Sequence, residues 1–240
     1  MRHRFWFNNE CSVDYGIYTT GTGTFNGASK IQTTTTVPGR NGNLIITDGN
    51  YNNITYPVKI GFYGINQTNF EQKAMAIRSW LLSPSGYCRL EDDYHPDVYR
   101  MAQLASGIDF DVPTILVVGE AELGFDCKPE QWLKAGEKEI VITSESTLYN
   151  PTRFTAKPLL NVTGTGVIQI GDVQVTVTEN IGDLVIDCDL ENAYGANGEF
   201  RNGDITLDTD GKFPTLKPGN TGIVVGSGMT VGVVPRWWTL

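Results

Sequence analysis

Period-two alternation of apolar and polar positions dominates the chain. Tyr56, Val58, Ile60 and Phe62 fall on one face of a strand, with Thr55, Lys59 and Gly61 on the other. Pro57 inside this run predicts an edge strand or a bulge. Leu184, Ile186, Cys188 and Leu190 alternate with Asp187, Asp189 and Glu191, the pattern of a strand with one wet face. Residues 167–170 and 173–177 flank Gly171-Asp172, a two-residue hairpin signal that favours a primed turn. The last third reads as short strands with frequent turn residues, which suits a β-sandwich.

One stretch departs from this period. Asn69 is placed to cap a helix, with Gln72 three positions on to complete a capping box. Phe70, Ala74, Ile77 and Leu81 then form an apolar stripe at 3.6-residue spacing, and Ser83-Pro84-Ser85-Gly86 stops it. The spacing predicts a single amphipathic helix over about 70–82, lying against a sheet. A shorter helical turn is expected at residues 96–105, where Tyr99, Met101 and Ala102 are apolar. The polar run 134–139 precedes renewed strand pattern at Ile140 and sets the expected boundary. It implies an α+β N-terminal domain over 1–139 and an all-β C-terminal domain over 140–240.

Composition agrees with a mainly β chain. Gly 27 and Pro 11 in 240 residues exceed the roughly 12% of average chains, and threonine is abundant. Lys+Arg 18 against Asp+Glu 27 gives a net charge of −9, which argues against a nucleic-acid surface binder. No apolar run approaches the roughly 20 residues of a membrane span; the densest, 114–118, is far shorter. The basic start turns polar before any h-region develops, so no secretory signal is expected and the product is read as soluble and made in a cytosol. Cys11, Cys88, Cys127 and Cys188 lie far apart, with no zinc or redox spacing, and are expected to be small buried hydrophobes. The sequons at Asn53, Asn66 and Asn161 mean nothing without a secretory route.

The inventory for catalysis is thin. His3 sits in a terminal strand pattern and His95 precedes Pro96 in an acidic loop, and neither is set between a nucleophile and a carboxylate. There is no G-x-S-x-G, and Gly226-Ser227-Gly228 makes neither a phosphate loop nor a nucleophile elbow. Glu91-Asp92-Asp93 could serve a divalent cation or half of a glycosidase carboxylate pair, but a solvated loop is the simpler reading. Asp187-Cys188-Asp189-Leu190-Glu191 resembles a calcium loop only superficially, since strand alternation explains it. Asn150-Pro151-Thr152-Arg153 faintly matches a galectin sugar-binding signature whose neighbouring His and Trp-Gly pair are missing. No catalytic, cofactor-binding or metal-binding residue is assigned.

Two features do not fit a plain globular enzyme. Pro38, Gly39, Arg40 and Gly42 form a dense loop cluster after the thread Thr33-Thr34-Thr35-Thr36. Its glycines can supply positive φ, and Arg40 could reach a carboxylate or carbonyl of a neighbour. These four are the candidate oligomer-interface residues. The segment Pro235-Arg236-Trp237-Trp238 is too aromatic for a free tail and must pack on its own domain or on a partner.

Together these fragments resemble the distal tail protein (Dit) family of long, non-contractile-tailed bacteriophages. Phe7-Asn8 followed by Asp14-Tyr15-Gly16 looks like the family's opening. Pro38-Gly39-Arg40-Asn41-Gly42-Asn43-Leu44 is similar to its P-G-R-x-G-x-L signature. Trp80-Leu81-Leu82, Tyr87, Leu90, Asp93 and Tyr99-Arg100-Met101-Ala102 follow its helix–hairpin order. Phe125-Asp126-Cys127-Lys128-Pro129 matches its F-x-C-K-P element, and the stretch from Phe213-Pro214 to Trp237-Trp238 its C-terminal region.

The resemblance implies an N-terminal β-sandwich with one helix, a C-terminal galectin-like β-sandwich, and no enzymatic activity. Six N-terminal domains would close a homohexameric ring, possibly paired with a second ring, between the tail tube protein and the tail-tip protein. DNA would pass through its channel without specific binding, and the protein would reside at the virion tail tip without inserting into a membrane. The acidic balance suits such a channel. At this length the chain has no room for inserted carbohydrate modules. The alternative is a lectin-like saccharide-binding module of an adsorption apparatus, and a glycan hydrolase is a third reading with no convincing carboxylate pair.

Overall fold

A computed structural model of the chain describes residues 3–20, 23–104, 106–110, 118–179, 182–208 and 211–240. Residues 114–117 of the densest apolar run, and Ala105, lie outside them. The chain folds as two compact units, Met1–Gln131 with Leu240, and Trp132–Thr239.

The first unit contains β1 (Phe5–Phe7), β2 (Glu10–Cys11), β3 (Ile17–Thr20), β4 (Lys30–Thr36), β5 (Asn43–Tyr51), β6 (Ile54–Tyr63), α1 (Gln67–Leu82), β7 (Cys88–Asp92), β8 (Val98–Gln103) and most of β9 (Val118–Leu133). Seven of these strands join one sheet in the order β2-β1-β7-β8-β9-β6-β3, while β4 and β5 pair only with each other. The alternation of β6 is realised: Tyr56, Val58, Ile60 and Phe62 are all buried. Pro57 causes no bulge, because the β6–β9 register runs unbroken from Ile54 to Tyr63. The β3 pairing reaches only to Lys59, so among the described residues Pro57 faces a neighbour strand on one side alone. A missing N–H is tolerated there.

Helix α1 begins earlier than the stripe predicts. The cap is Asn66 rather than Asn69: the Asn66 side chain accepts from the Asn69 N–H at 2.9 Å, and Asn69 accepts in return from the Ile65 N–H at 3.1 Å. Two amide side chains thus satisfy orphan donors reciprocally, and Gln72 is not needed. Phe70, Ala74, Ile77, Trp80 and Leu81 are buried against the sheet. Trp80 stacks on Tyr15 at 4.3 Å and donates its indole N–H to the Phe7 carbonyl at 3.1 Å.

No helical turn forms at the described residues 96–104. Residues 98–103 are strand β8, in which Arg100 and Ala102 point inward between half-buried Tyr99, Met101 and Gln103. The burial alternates with period two, which the clustering of apolar residues obscures.

The second unit is a sandwich of two five-stranded sheets. Its strands are β10 (Ile140–Ile142), β11 (Ser146–Asn150), β12 (Leu159–Thr163), β13 (Gly166–Ile170), β14 (Val173–Val177), β15 (Leu184–Asp187), β16 (Asn192–Gly195), β17 (Ile205–Leu207), β18 (Gly219–Val225) and β19 (Thr230–Val234). The orders are β10-β19-β12-β15-β16 and β11-β18-β13-β14-β17. Leu160, Val162, Ile186, Val231 and Val233 from one sheet share a core with Ile168, Val175, Val177 and Ile223 from the other. The expected β13–β14 hairpin turns at Gly171-Asp172, where Gly171 has φ +56. The chain is mainly β, with one α-helix among the described residues.

The tail packs on its own unit. Trp237 is buried in the sandwich core, and the Trp238 indole N–H donates to the Thr155 carbonyl at 3.0 Å while its ring stacks on Phe154 at 4.3 Å. Beside it, Asp187 corrects the wet-face reading of β15. It is buried, accepts from the N–H groups of Asp189 and Leu190, and takes both Arg236 nitrogens at 2.7 and 2.9 Å. The strand ends there instead of continuing to Leu190, which is exposed.

Burial pushes the Asp187 carboxyl up, but Arg236 and the two backbone donors outweigh that and hold it below the usual carboxylate range. A carboxyl with a depressed folded pKa adds stability that is present above the unfolded value of ~3.9 and fades as pH falls toward the lowered one. The melting temperature of the second unit should therefore drop through that acid window, and the drop should be shallower in Asp187→Asn. Equal pH slopes in the two proteins would show that the pair adds nothing.

Candidate assembly interface

The only constellation of titratable side chains buried together among the described residues of the first unit centres on Asp92. Tyr56 donates to Asp92 Oδ2 at 3.0 Å, Arg100 reaches the same oxygen at 3.5 Å, and Asp92 Oδ1 accepts from the N–H groups of Tyr94 and His95 at 2.8 Å each. His95 Nδ1 stands 2.9 Å from Oδ1. Arg100, the largest fully buried side chain, also donates to Gln131 and lies 4.5 Å over the Tyr56 ring. Asp92 is therefore not part of a solvated loop: its carboxylate folds the Asp92–His95 turn over the sheet.

His95 Nε2, the nitrogen that would face a nucleophile in a catalytic pair, is buried without a partner, and Phe25 packs edge-on against the ring at 4.6 Å. Burial, with Asp92 adding to it, raises the Tyr56 phenol well above its ordinary value. Burial likewise pushes the nearby Cys127 thiol up to about 12. These groups hold structure and present no activated nucleophile. Cys127 and Cys188 are buried as expected, whereas Cys11 and Cys88 are only half-buried. No group of three or more His, Cys, Asp or Glu able to hold a metal occurs among the described residues.

The four sequence-nominated residues lie together elsewhere, at the tip of the β4–β5 ribbon. Val37 to Arg40 make a turn closed by the Arg40 N–H on the Val37 carbonyl at 3.2 Å. Pro38 occupies its second position and Gly39, at φ +79, its third, the arrangement of a type II turn. Gly42 follows at φ +80, and the Arg40 side chain extends into solvent.

The two arms of the ribbon are the part that sequence reading missed. In register, Thr33 opposes Ile46, Thr34 opposes Ile45 and Thr35 opposes Leu44. Every residue of β4, and every residue of β5 up to Asn50, is exposed, with Ile45 and Ile46 at 57% and 58%. An ordinary sheet strand buries one face; here both faces are wet. Ile31–Thr47 also carries a single charged side chain, Arg40. An isolated two-stranded ribbon is marginal in water, and one with open edges, exposed isoleucines and few charges invites pairing. The detectable signal was the absence of alternation, with Arg40 as the one charge across seventeen residues.

The family model described as phage tail protein RIFT-related domain matches residues 13–127. Over 100% of both chains, the structure is similar to the SPP1 Dit protein, described as a paradigm of the hub adsorption apparatus in phages infecting Gram-positive bacteria, at a TM-score of 0.75 and 15% identity. It is also similar to chains of the phage P2 baseplate in its activated conformation with Ca, at a TM-score of 0.55 and 10% identity over 97% of both chains. The same baseplate with Sr gives 0.55 and 9%, again over 97% of both chains. No curated protein sequence matches the chain. Residues 13–127 thus match a phage tail protein domain, and the whole chain has the fold of the SPP1 Dit protein.

Proposed function

We propose that the protein is the structural hub of a siphophage tail tip. Its N-terminal part, taken as residues 1–139, closes a homohexameric ring between the tail tube protein above and the tail-tip protein below, around a channel for DNA. The C-terminal part, residues 140–240, is a galectin-like sandwich used as a scaffold and not as a sugar-binding site. The observation that carries this reading is the β4–β5 ribbon, which is marginal as a free element and has no cover among the described residues of its own chain. A head-to-tail contact of this kind, repeated with closure, produces a ring. Pro38, Gly39, Arg40 and Gly42 are then interface residues, with Arg40 as the one charge that fixes the docking position.

The test is the solution mass by light scattering over serial dilution. A mass six or twelve times that of the 26.4 kDa chain supports the ring, and a monomer mass at every concentration overturns self-assembly. In the assembling protein, Arg40→Ala should lower the assembled fraction at a given concentration without changing the monomer's circular dichroism. Loss of folding in that variant would place Arg40 inside the fold instead.

A further inference from the structure

The chain contains four Asn–Gly dipeptides: Asn26-Gly27, Asn41-Gly42, Asn197-Gly198 and Asn202-Gly203. Such a pair can lose ammonia spontaneously, because glycine has no Cβ to hinder its backbone nitrogen and readily reaches the required φ and ψ. Two things must be free: the side-chain amide that is attacked and the following N–H that attacks. Asn26 is tied by its side-chain nitrogen to the Thr55 carbonyl at 2.6 Å. Gly198 donates its N–H to the Gly195 carbonyl at 2.9 Å. Asn202 accepts from the Ala193 N–H at 2.6 Å through its side-chain oxygen. Asn41 and Gly42 make no such bonds among the described residues, both are exposed at the ribbon tip, and Gly42 sits in open space at φ +80.

We infer that Asn41 is a site of spontaneous deamidation in the unassembled subunit. The Gly42 nitrogen gives up its proton to hydroxide, forming water, and bonds to the Asn41 side-chain carbonyl carbon; the amide nitrogen takes a proton from water and leaves as ammonia as its bond to that carbon breaks, which regenerates hydroxide. One water then opens the resulting succinimide at either carbonyl, leaving aspartate or isoaspartate. The product places a carboxylate next to Arg40, the charge at the ribbon's tip, and offsets it. Resting on the assembly reading above, this makes the tip a timer: subunits that dock early bury it, and subunits left free lose docking strength.

The experiment is ageing of the purified protein at mildly alkaline pH, at a dilution where light scattering shows monomer, with peptide mapping by mass spectrometry and isoaspartate detection. The expected result is a single-dalton rise at the 41–42 peptide, several-fold faster than at the other three sites. Gly42→Ala should slow it severalfold and Asn41→Gln should abolish it. Equal rates at all four sites, or no rise at 41–42, would overturn the inference. The consequence is read separately, by light scattering of Asn41→Asp. Weakened assembly supports the timer. If Arg40→Ala disrupts the ring and Asn41→Asp does not, the timer fails while the ring reading stands.

Discussion

Asp92→Ala is expected to destabilise the first unit by about 3–5 kcal/mol, the cost of leaving a buried charge without its counter-ion. Arg100 is only 1% exposed, so its guanidinium cannot turn to water when the carboxylate goes. Its remaining donor contact would be to Gln131 at 3.2 Å, and its Nε already lacks a partner. The same substitution removes the acceptor of the Tyr94 and His95 N–H groups and frees the Tyr56 hydroxyl. The companion variant Arg100→Met should be far milder, because Asp92 keeps two backbone donors and Tyr56 while a long apolar side chain fills the space. Urea unfolding followed by hydrogen exchange in β6–β8 peptides separates the two. Equal losses in both variants would show that packing, and not the uncompensated charge, dominates.

Ile77→Asp should abolish folding of the first unit altogether. Ile77 is 0% exposed at the centre of the α1 stripe. Truncating a buried isoleucine already costs about 2–5 kcal/mol, and a carboxylate there has no basic partner, which adds several kcal/mol more. The total reaches the whole stability of an ordinary domain, roughly 5–15 kcal/mol. Ile77→Val, which removes one methylene, should cost only about 0.5–1.5 kcal/mol and serves as the control. A soluble Ile77→Asp protein with native near-ultraviolet circular dichroism would show that the helix is not docked as described.

What the sequence made legible was periodic and local. The β6 face, the β13–β14 hairpin and the α1 stripe each follow from spacing, because one face of each element is buried along its whole length. Pro38, Gly39 and Gly42 announced a turn for the same reason: a backbone angle demands a residue type. Asp92, Arg100 and Asp187 were not legible. Each is a charged residue whose burial depends on a partner eight or more positions away, and in Asp187's case on Arg236, far along the chain. No local pattern distinguishes such a residue from one facing water. The ribbon arms escaped notice for the opposite reason, since with both faces exposed the alternation that marks a strand has nothing to record.

The second unit is stitched shut by its latest-made segment. One of its two sheets depends on β19, which pairs with both β10 and β12; Trp237 fills the core, and the Leu133 and Arg236 N–H groups bond across to the Trp237 and Gly136 carbonyls. A ribosome emitting residues in order has therefore made β10 and β12 long before their common neighbour exists. Those strands must wait with open edges, and such distant pairings are slow to form. The second unit accordingly completes its fold only once Trp237 has emerged.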